Sequence, residues 1–350
     1  MTDARYRIKD TQGFTEAVCK RTPRDDSRRY NAMNISTGAV AVSMVVIRLL
    51  YNRFFSARRE LGWDDWAMLW VIILAVPCTT VNSIGLLASG LGRDVWTVTT
   101  DQLSNFAKYL YVLETFYMAE MAITKLSLSL FYLKIFPGTT IRRLLVGTCI
   151  LNAAFGFAFV TSSIFACTPV SRFWTQFIHP EEPGHCINLN IFVWTHGASN
   201  IAMDLWMIAL PLSQITTLEL HWRKKAGVIF MFFMGTFVTV VTILRLQSLL
   251  NFSKTINPTW DDISVVWWST IEVNVGIICT CLPTLRLILV RSVPRICGGK
   301  SSKSKYRGIH SIGNRNDKNN LMRPKQFELA STDSTVVDAG EQSEKEKLDV

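Results

Sequence analysis

Two long stretches of this 350-residue chain, Trp66 to Gly92 and Leu144 to Ser171, contain no Asp, Glu, Lys or Arg. Each exceeds the roughly 20 residues that a helix needs to cross a bilayer, and a buried soluble helix would be shorter, so this lack of charge excludes a wholly soluble fold. Metal and redox motifs are lacking as well. The eight cysteines are scattered with no CxxC and no His-x-x-x-His arrangement, so no metal site and no cofactor is expected. No nucleophile stands beside a base, and no enzymatic activity is expected. No signal peptide is visible in the N-terminal segment.

What the chain does have is seven apolar stretches of bilayer length, at about 33–51, 66–88, 107–133, 144–167, 190–213, 226–250 and 263–289. They predict an all-α membrane protein, a seven-transmembrane helix bundle over residues 33–290. The third and seventh stretches are the weakest on hydropathy, because Glu114, Glu120 and Lys125 interrupt the one and Glu272 the other. Pro77, Pro211 and Pro283 are tolerated in membrane helices and mark kinks. Residues 1–32 form a polar tail, and residues 291–350 a second one, basic and then acidic, with disorder expected. Cys297, just past the last stretch, is placed where palmitoylation occurs, and an unmodified thiol is the equal alternative.

A net charge of +10 would suggest nucleic acid in a soluble protein, but here the cations flank apolar runs and no nucleic-acid partner is expected. Nine Lys/Arg, among them Arg53, Arg58, Lys134, Arg142, Arg223 and Lys224, fall in the loops after the first, third and fifth stretches, against four in or just beside the other three loops, Arg93, Lys108, Arg172 and Lys254. This places the former in the cytoplasm, the N-terminus outside and the C-terminus inside. The eight Lys/Arg of residues 1–32 run against it. Either a signal peptide and exodomain precede this segment or the orientation is inverted, and the short loops weigh more.

Cys167, at the outer end of the fourth stretch, and Cys186, in the next outer loop, are predicted to form a disulfide, with two free thiols as the alternative. Six ionisable side chains fall at membrane depth: Glu114, Glu120, Lys125, Asp204, Arg245 and Glu272. Each is costly there unless paired or hydrated. Counting about 1.5 Å per residue puts Lys125 roughly 27 Å and Asp204 roughly 21 Å from the outer ends, which suggests one pair toward the cytoplasmic side. The same count puts Arg245 at roughly 7 Å and Glu272 at roughly 14 Å, a second pair in the outer half. Glu114, Met118, Met121 and Lys125 share one helix face, which should look into the bundle. It forms either a polar cavity that binds a ligand or switches between pairings, or static glue between helices. Asn200, one turn from Asp204, and Asn274, on a different face from Glu272, are expected to bond across helices. Arg48 and Arg286, near predicted cytoplasmic ends, are expected to snorkel. Most of the eleven tryptophans, Trp63 and Trp66 among them, lie near the ends of stretches and read as interface anchors. The sequons at Asn34 and Asn251 lie against the membrane surface, and neither is expected to carry glycan.

Several short motifs occur in order: Asp64-Asp65-Trp66, Gly90-x-Gly92-Arg93, Lys125-x-Ser127 through Phe131-Tyr132, Cys167-x-Pro169 with Trp174 and Cys186, Asn200-x-x-x-Asp204 with Leu210-Pro211, Gly235 with Arg245-Leu246, and Glu272-x-Asn274 before Cys281-Leu282-Pro283. Over about residues 30–290 this set resembles the fungal rhodopsin-like seven-transmembrane family, which includes receptors related to the pathogenicity protein Pth-eleven. The resemblance implies a multi-pass membrane protein, in some members proposed to be a G-protein-coupled receptor and in others linked to secondary-metabolite clusters. Many members carry a cysteine-rich CFEM domain before the first helix, of which only Cys19 and Arg24-Asp25-Asp26 remind one here, and Asp94 stands where the family often has His. Retinal is not expected, because the seventh stretch has no lysine to form a Schiff base. The DRY and NPxxY signatures of animal receptors are missing. The expectation is a GPCR-like plasma-membrane sensor of an extracellular or membrane-embedded small ligand, with a heterotrimeric G protein as partner. The alternative is a transporter or metabolite-handling membrane protein.

Overall fold

The computed structural model describes residues 24–55, 61–136, 138–175, 183–217, 222–252 and 257–296, with side chains at 214–231, 251–252, 286–287 and 289–296 outside the description. The expectations for Arg286, Cys297, the Asn251 sequon and the tail from 297 onward lie outside the described residues or side chains.

Seven long helices account for most of the described chain: α1 (Ser27–Leu50), α2 (Trp63–Thr80), α3 (Thr100–Ile135), α4 (Thr139–Ile164), α5 (Leu189–Thr217), α6 (Trp222–Phe252) and α7 (Pro258–Ile296). Wider helical turns extend α1 over Tyr51–Phe55 and α2 over Val81–Leu86. Five helical segments, 27–55, 63–86, 139–164, 232–250 and 258–285, are long and apolar enough to cross a membrane. α7 is among them despite Glu272. α3 and α5 are 36 and 29 residues long, but Glu114, Glu120 and Lys125 break the apolar run of the first, and His196, Asn200 and Asp204 that of the second. Large apolar side chains point outward, as Phe157 (76% exposed), Trp63 (81%) and Phe233 (66%) do, the arrangement of a chain whose solvent is lipid.

α3 packs against α2, α4 and α7, while α1 lies between α2 and α7 and α6 between α5 and α7. The core shared by α1, α2, α3 and α7 is built on Val45, Met68, Val71, Met118, Met121 and Ile277. Small residues let the backbones approach: a side chain at Gly156 of α4 would collide with Ala122 of α3, and Ser127 and Ser129 of α3 are fully buried.

One end of the bundle is locked by Arg48. The expectation that this arginine snorkels is wrong: it is 0% exposed and donates from Nε to Asp65 Oδ1 (3.1 Å), from Nη2 to Asp64 Oδ2 (2.6 Å) and from Nη1 to the Thr280 carbonyl. Asp64 and Asp65 occupy the first turn of α2, where the exposed amides of the helix favour negative charge, and Lys134 pairs with Asp64 from the end of α3. The arginine turns inward because two carboxylates await it there, cancelling the cost that would otherwise drive it to the interface. The Asp64-Asp65-Trp66 motif is thus a clamp joining α1, α2, α3 and α7.

The opposite end carries the loops after α2, α4 and α6. α1 begins at Ser27, ahead of the expected Met33, and Tyr30 is fully buried with its hydroxyl 3.0 Å from Asn82 Oδ1 and 3.1 Å from Thr270 Oγ1. Gly90 and Gly92 adopt φ of 107° and 76°, and Gly92 donates to the Thr259 carbonyl (2.9 Å) while accepting from the Asp26 amide (3.3 Å). Only glycine takes that backbone shape without strain, which accounts for the Gly-x-Gly turn. Asp94, 2% exposed, receives Arg24 Nη2 and Asn257 Nδ2, each at 2.8 Å. Asn34 is buried too, its amide donating to the Thr79 carbonyl and to Ser83, so it sits inside the bundle and not against the membrane surface.

Candidate functional site

Cys167 and Cys186 are joined by a disulfide, and they face each other in a two-stranded antiparallel ladder of β1 (Cys167–Thr168) and β2 (His185–Cys186). Tyr111 of α3 docks beside this hairpin, donating to the Ile164 carbonyl at 2.7 Å, with its ring tilted against Phe173 and edge-on to Trp174. Phe173, on the helical turn Arg172–Thr175, lines a cavity of about 200 Å³ that opens among α1, α2, α3, α5, α6 and α7 at this end.

The cavity wall combines apolar side chains, such as Leu86, Leu110, Leu113, Val193 and Val266, with Glu114 and Glu120 of α3, Asp262 of α7 and Arg245 of α6. Glu120 and Asp262 are 2% and 3% exposed, and Glu120 Oε1 and Asp262 Oδ2 have no hydrogen-bond partner among the described residues.

Below it runs a buried chain of polar contacts. Lys125 Nζ lies 2.6 Å from Asp204 Oδ1 and 3.0 Å from the Asn200 carbonyl. Thr242 of α6 lies 3.5 Å from Asp204 Oδ2 and 2.8 Å from Glu272 Oε1. Glu272, wholly buried, also accepts from Asn200 Nδ2 (3.1 Å) and Tyr117 Oη (2.9 Å), with Arg245 Nε at 3.8 Å from Oε2. The nearer partner of Arg245 is Ser269 Oγ at 2.8 Å, and its guanidinium rests 4.1 Å from the Tyr117 ring centre. A second cavity, of about 80 Å³, surrounds the Lys125–Asp204 pair beside Tyr132, Pro211 and Gly235.

The structure therefore brings together Lys125, Asn200, Asp204, Arg245 and Glu272. The two pairs expected at different depths are one continuous chain, because Asn200 and Thr242 each touch both Glu272 and the Lys125–Asp204 pair. Glu114 and Glu120 line the upper cavity instead. Asn274 turns to α1 and donates to Thr37 Oγ1 at 3.1 Å.

Reading the sequence missed Tyr117, Thr242, Ser269, His196 and Asp262. Thr242 and Arg245 are three residues apart, as are Ser269 and Glu272, so each pair shares a helix face, and that spacing was the available signal. His196 packs among Tyr117, Phe155 and Phe159, a setting no spacing reveals. Among the described residues no group of three metal-binding side chains occurs.

The fungal rhodopsin domain matches residues 31–291. The chain is 31% identical to a SAT4 family membrane protein of Emericella nidulans, over 63% of this chain and 58% of that protein. It is 24% identical to Receptor GIN3 of Arthrobotrys oligospora, over 71% of this chain and 61% of that protein. It is 22% identical to the polyenoic acids biosynthesis gene cluster protein Ba17b of Metarhizium anisopliae, over 79% of each. This chain spans less than two thirds of the SAT4 protein and of GIN3. No solved structure matches.

Proposed function

The chain belongs to the fungal rhodopsin family, and from that premise we propose that it is a GPCR-like sensor of the plasma membrane. In this reading all seven long helices cross the bilayer, the loop charges set the disulfide-bearing end outside, and the chain catalyses no reaction. The observation that carries it is the polar chain linking two cavities. Arg245 and Tyr117 form part of the wall of the upper cavity, and Lys125 and Asp204 part of the lower. A ligand that displaced Arg245 would release one contact of Glu272, whose other contacts lead through Thr242 to the Lys125–Asp204 pair. Coupling of this kind needs an element with two arrangements that both ends bias. Thr242 supplies one, since its hydroxyl has one proton and faces Asp204, Glu272 and the Val238 carbonyl at once. The name of GIN3 is in keeping with this role.

Ligand-stimulated nucleotide exchange on a heterotrimeric G protein, in membranes holding the full chain, tests the reading. Exchange that persists unchanged in Thr242→Val would remove the relay. A transporter is the second reading, favoured by the presence of cavities at two levels and by relatives named for biosynthetic clusters. Uptake into proteoliposomes without nucleotide exchange would establish it in place of the first. Labelling of single cysteines placed in the loops tests the sidedness on which both depend.

A further inference from the structure

The upper cavity carries more carboxyl groups than cations. Glu114, Glu120 and Asp262 line it against one arginine, and Arg245 is already engaged by Ser269 and Glu272. A carboxylate at membrane depth needs a proton, a paired cation or water. Glu120 is the sharpest case: it is 2% exposed, it lines the cavity, and its Oε1 has no hydrogen-bond partner among the described residues.

The three acids lie at different levels. Tyr117 and Glu272 are bonded to each other between α3 and α7. Along α3, Glu114 lies three residues before Tyr117 and Glu120 three residues past it, about 4.5 Å each way, and along α7 Asp262 lies ten residues, about 15 Å, before Glu272 on the loop side. Acids thus descend from the mouth to a floor at Glu120, with apolar side chains from α2, α3, α5 and α7 around them.

We propose that this cavity binds a small lipophilic organic cation, a protonated amine with a compact apolar body, whose ammonium group is received by Glu120. Asp262 and Glu114 draw the cation in, as a cleft lined by one sign of charge raises the local concentration of its counter-ion. Leu110, Leu113, Val193 and Val266 hold the apolar body. The inference rests on the reading of the chain as a sensor and names the ligand class of the same site.

The test uses the full chain in lipid nanodiscs with two amines, 2-phenylethylamine and cyclohexylamine, beside their neutral counterparts 2-phenylethanol and cyclohexanol. Each amine should raise the thermal midpoint progressively with its concentration, following the logarithm of one plus the ratio of free amine to Kd, and each alcohol should not. Equilibrium dialysis with radiolabelled 2-phenylethylamine should show at least a tenfold weaker Kd in Glu120→Gln, a change that keeps the side-chain shape. Asp262→Asn should slow association more than it changes dissociation. Failure of both amines to bind, equal binding of amines and alcohols, or unchanged affinity in Glu120→Gln would each overturn the proposal; the first two would mean that a proton alone satisfies Glu120. Amine binding followed by uptake and no nucleotide exchange would support the proposal and defeat the sensor reading. Exchange elicited by a neutral compound with which the amines do not compete would do the reverse.

Discussion

Thr242 stands 2.8 Å from Glu272 and 3.5 Å from Asp204, so its hydroxyl on α6, together with Asn200 on α5, which meets both Lys125 and Glu272, joins two buried ion pairs. Removing one member of such a pair leaves a charge without compensation, whereas replacing both leaves an apolar contact. Lys125→Met should therefore lower stability by about 3–5 kcal/mol, and Lys125→Met with Asp204→Leu by much less. Thermal unfolding of the single and double variants in detergent checks this. A double variant no more stable than either single would show that the two side chains do not compensate each other.

The disulfide predicts a count. Thiol titration of the denatured chain should find two more reactive groups after reduction than before, contributed by Cys167 and Cys186. Cys186→Ser should lose about 3 kcal/mol from the freed loop and loosen the hairpin that holds Phe173 at the cavity. Weaker ligand retention should accompany the lower unfolding temperature.

Arg48 and Lys134 both meet Asp64, but one is wholly buried and the other has a side chain 44% exposed. Arg48→Met should cost about 3–5 kcal/mol, and Lys134→Met under about 1 kcal/mol, since a pair open to solvent is worth little. Equal losses in the two variants, read from unfolding midpoints, would contradict the picture of a clamp centred on the arginine.

Asp94, in the loop after α2, gives a dependence on pH. Burial alone pushes its carboxyl up, but hydrogen bonds from the side chain and amide of Arg24 and from Asn257, with the Arg24 charge, outweigh that and hold it below the ordinary 3.8. A carboxyl lowered by folding contributes stability above its unfolded value and loses it as pH falls through the folded one. The unfolding midpoint should drop as pH is taken from about 5 to about 2, and drop less in Asp94→Asn.

The helices were legible because an apolar run of bilayer length leaves little choice of structure, and the disulfide because both cysteines fall at one end of the bundle. Which charged groups face one another was harder to read. Arg48 misled because an arginine at a helix end has two ways out, to the headgroups or to a carboxylate on the next helix, and hydropathy cannot rank them. Tyr117, Thr242 and Ser269 carry no alarming charge, so nothing in a hydropathy profile marks the first two as partners of Glu272 or the third as the partner of Arg245. Glu114 and Glu120 stood out in the sequence as ionisable groups at membrane depth, yet only the packing of α2, α5 and α7 around them makes them part of a cavity wall.

Hydropathy would invite trimming the chain to begin at Met33. That cut removes Tyr30, whose ring fills the space under Leu86 and Ile263 and whose hydroxyl bridges α2 and α7, together with the Arg24 grip on Asp94. The first residue greasy enough for lipid and the first residue needed by the architecture are therefore different, and a shortened version for expression has to be cut ahead of the second.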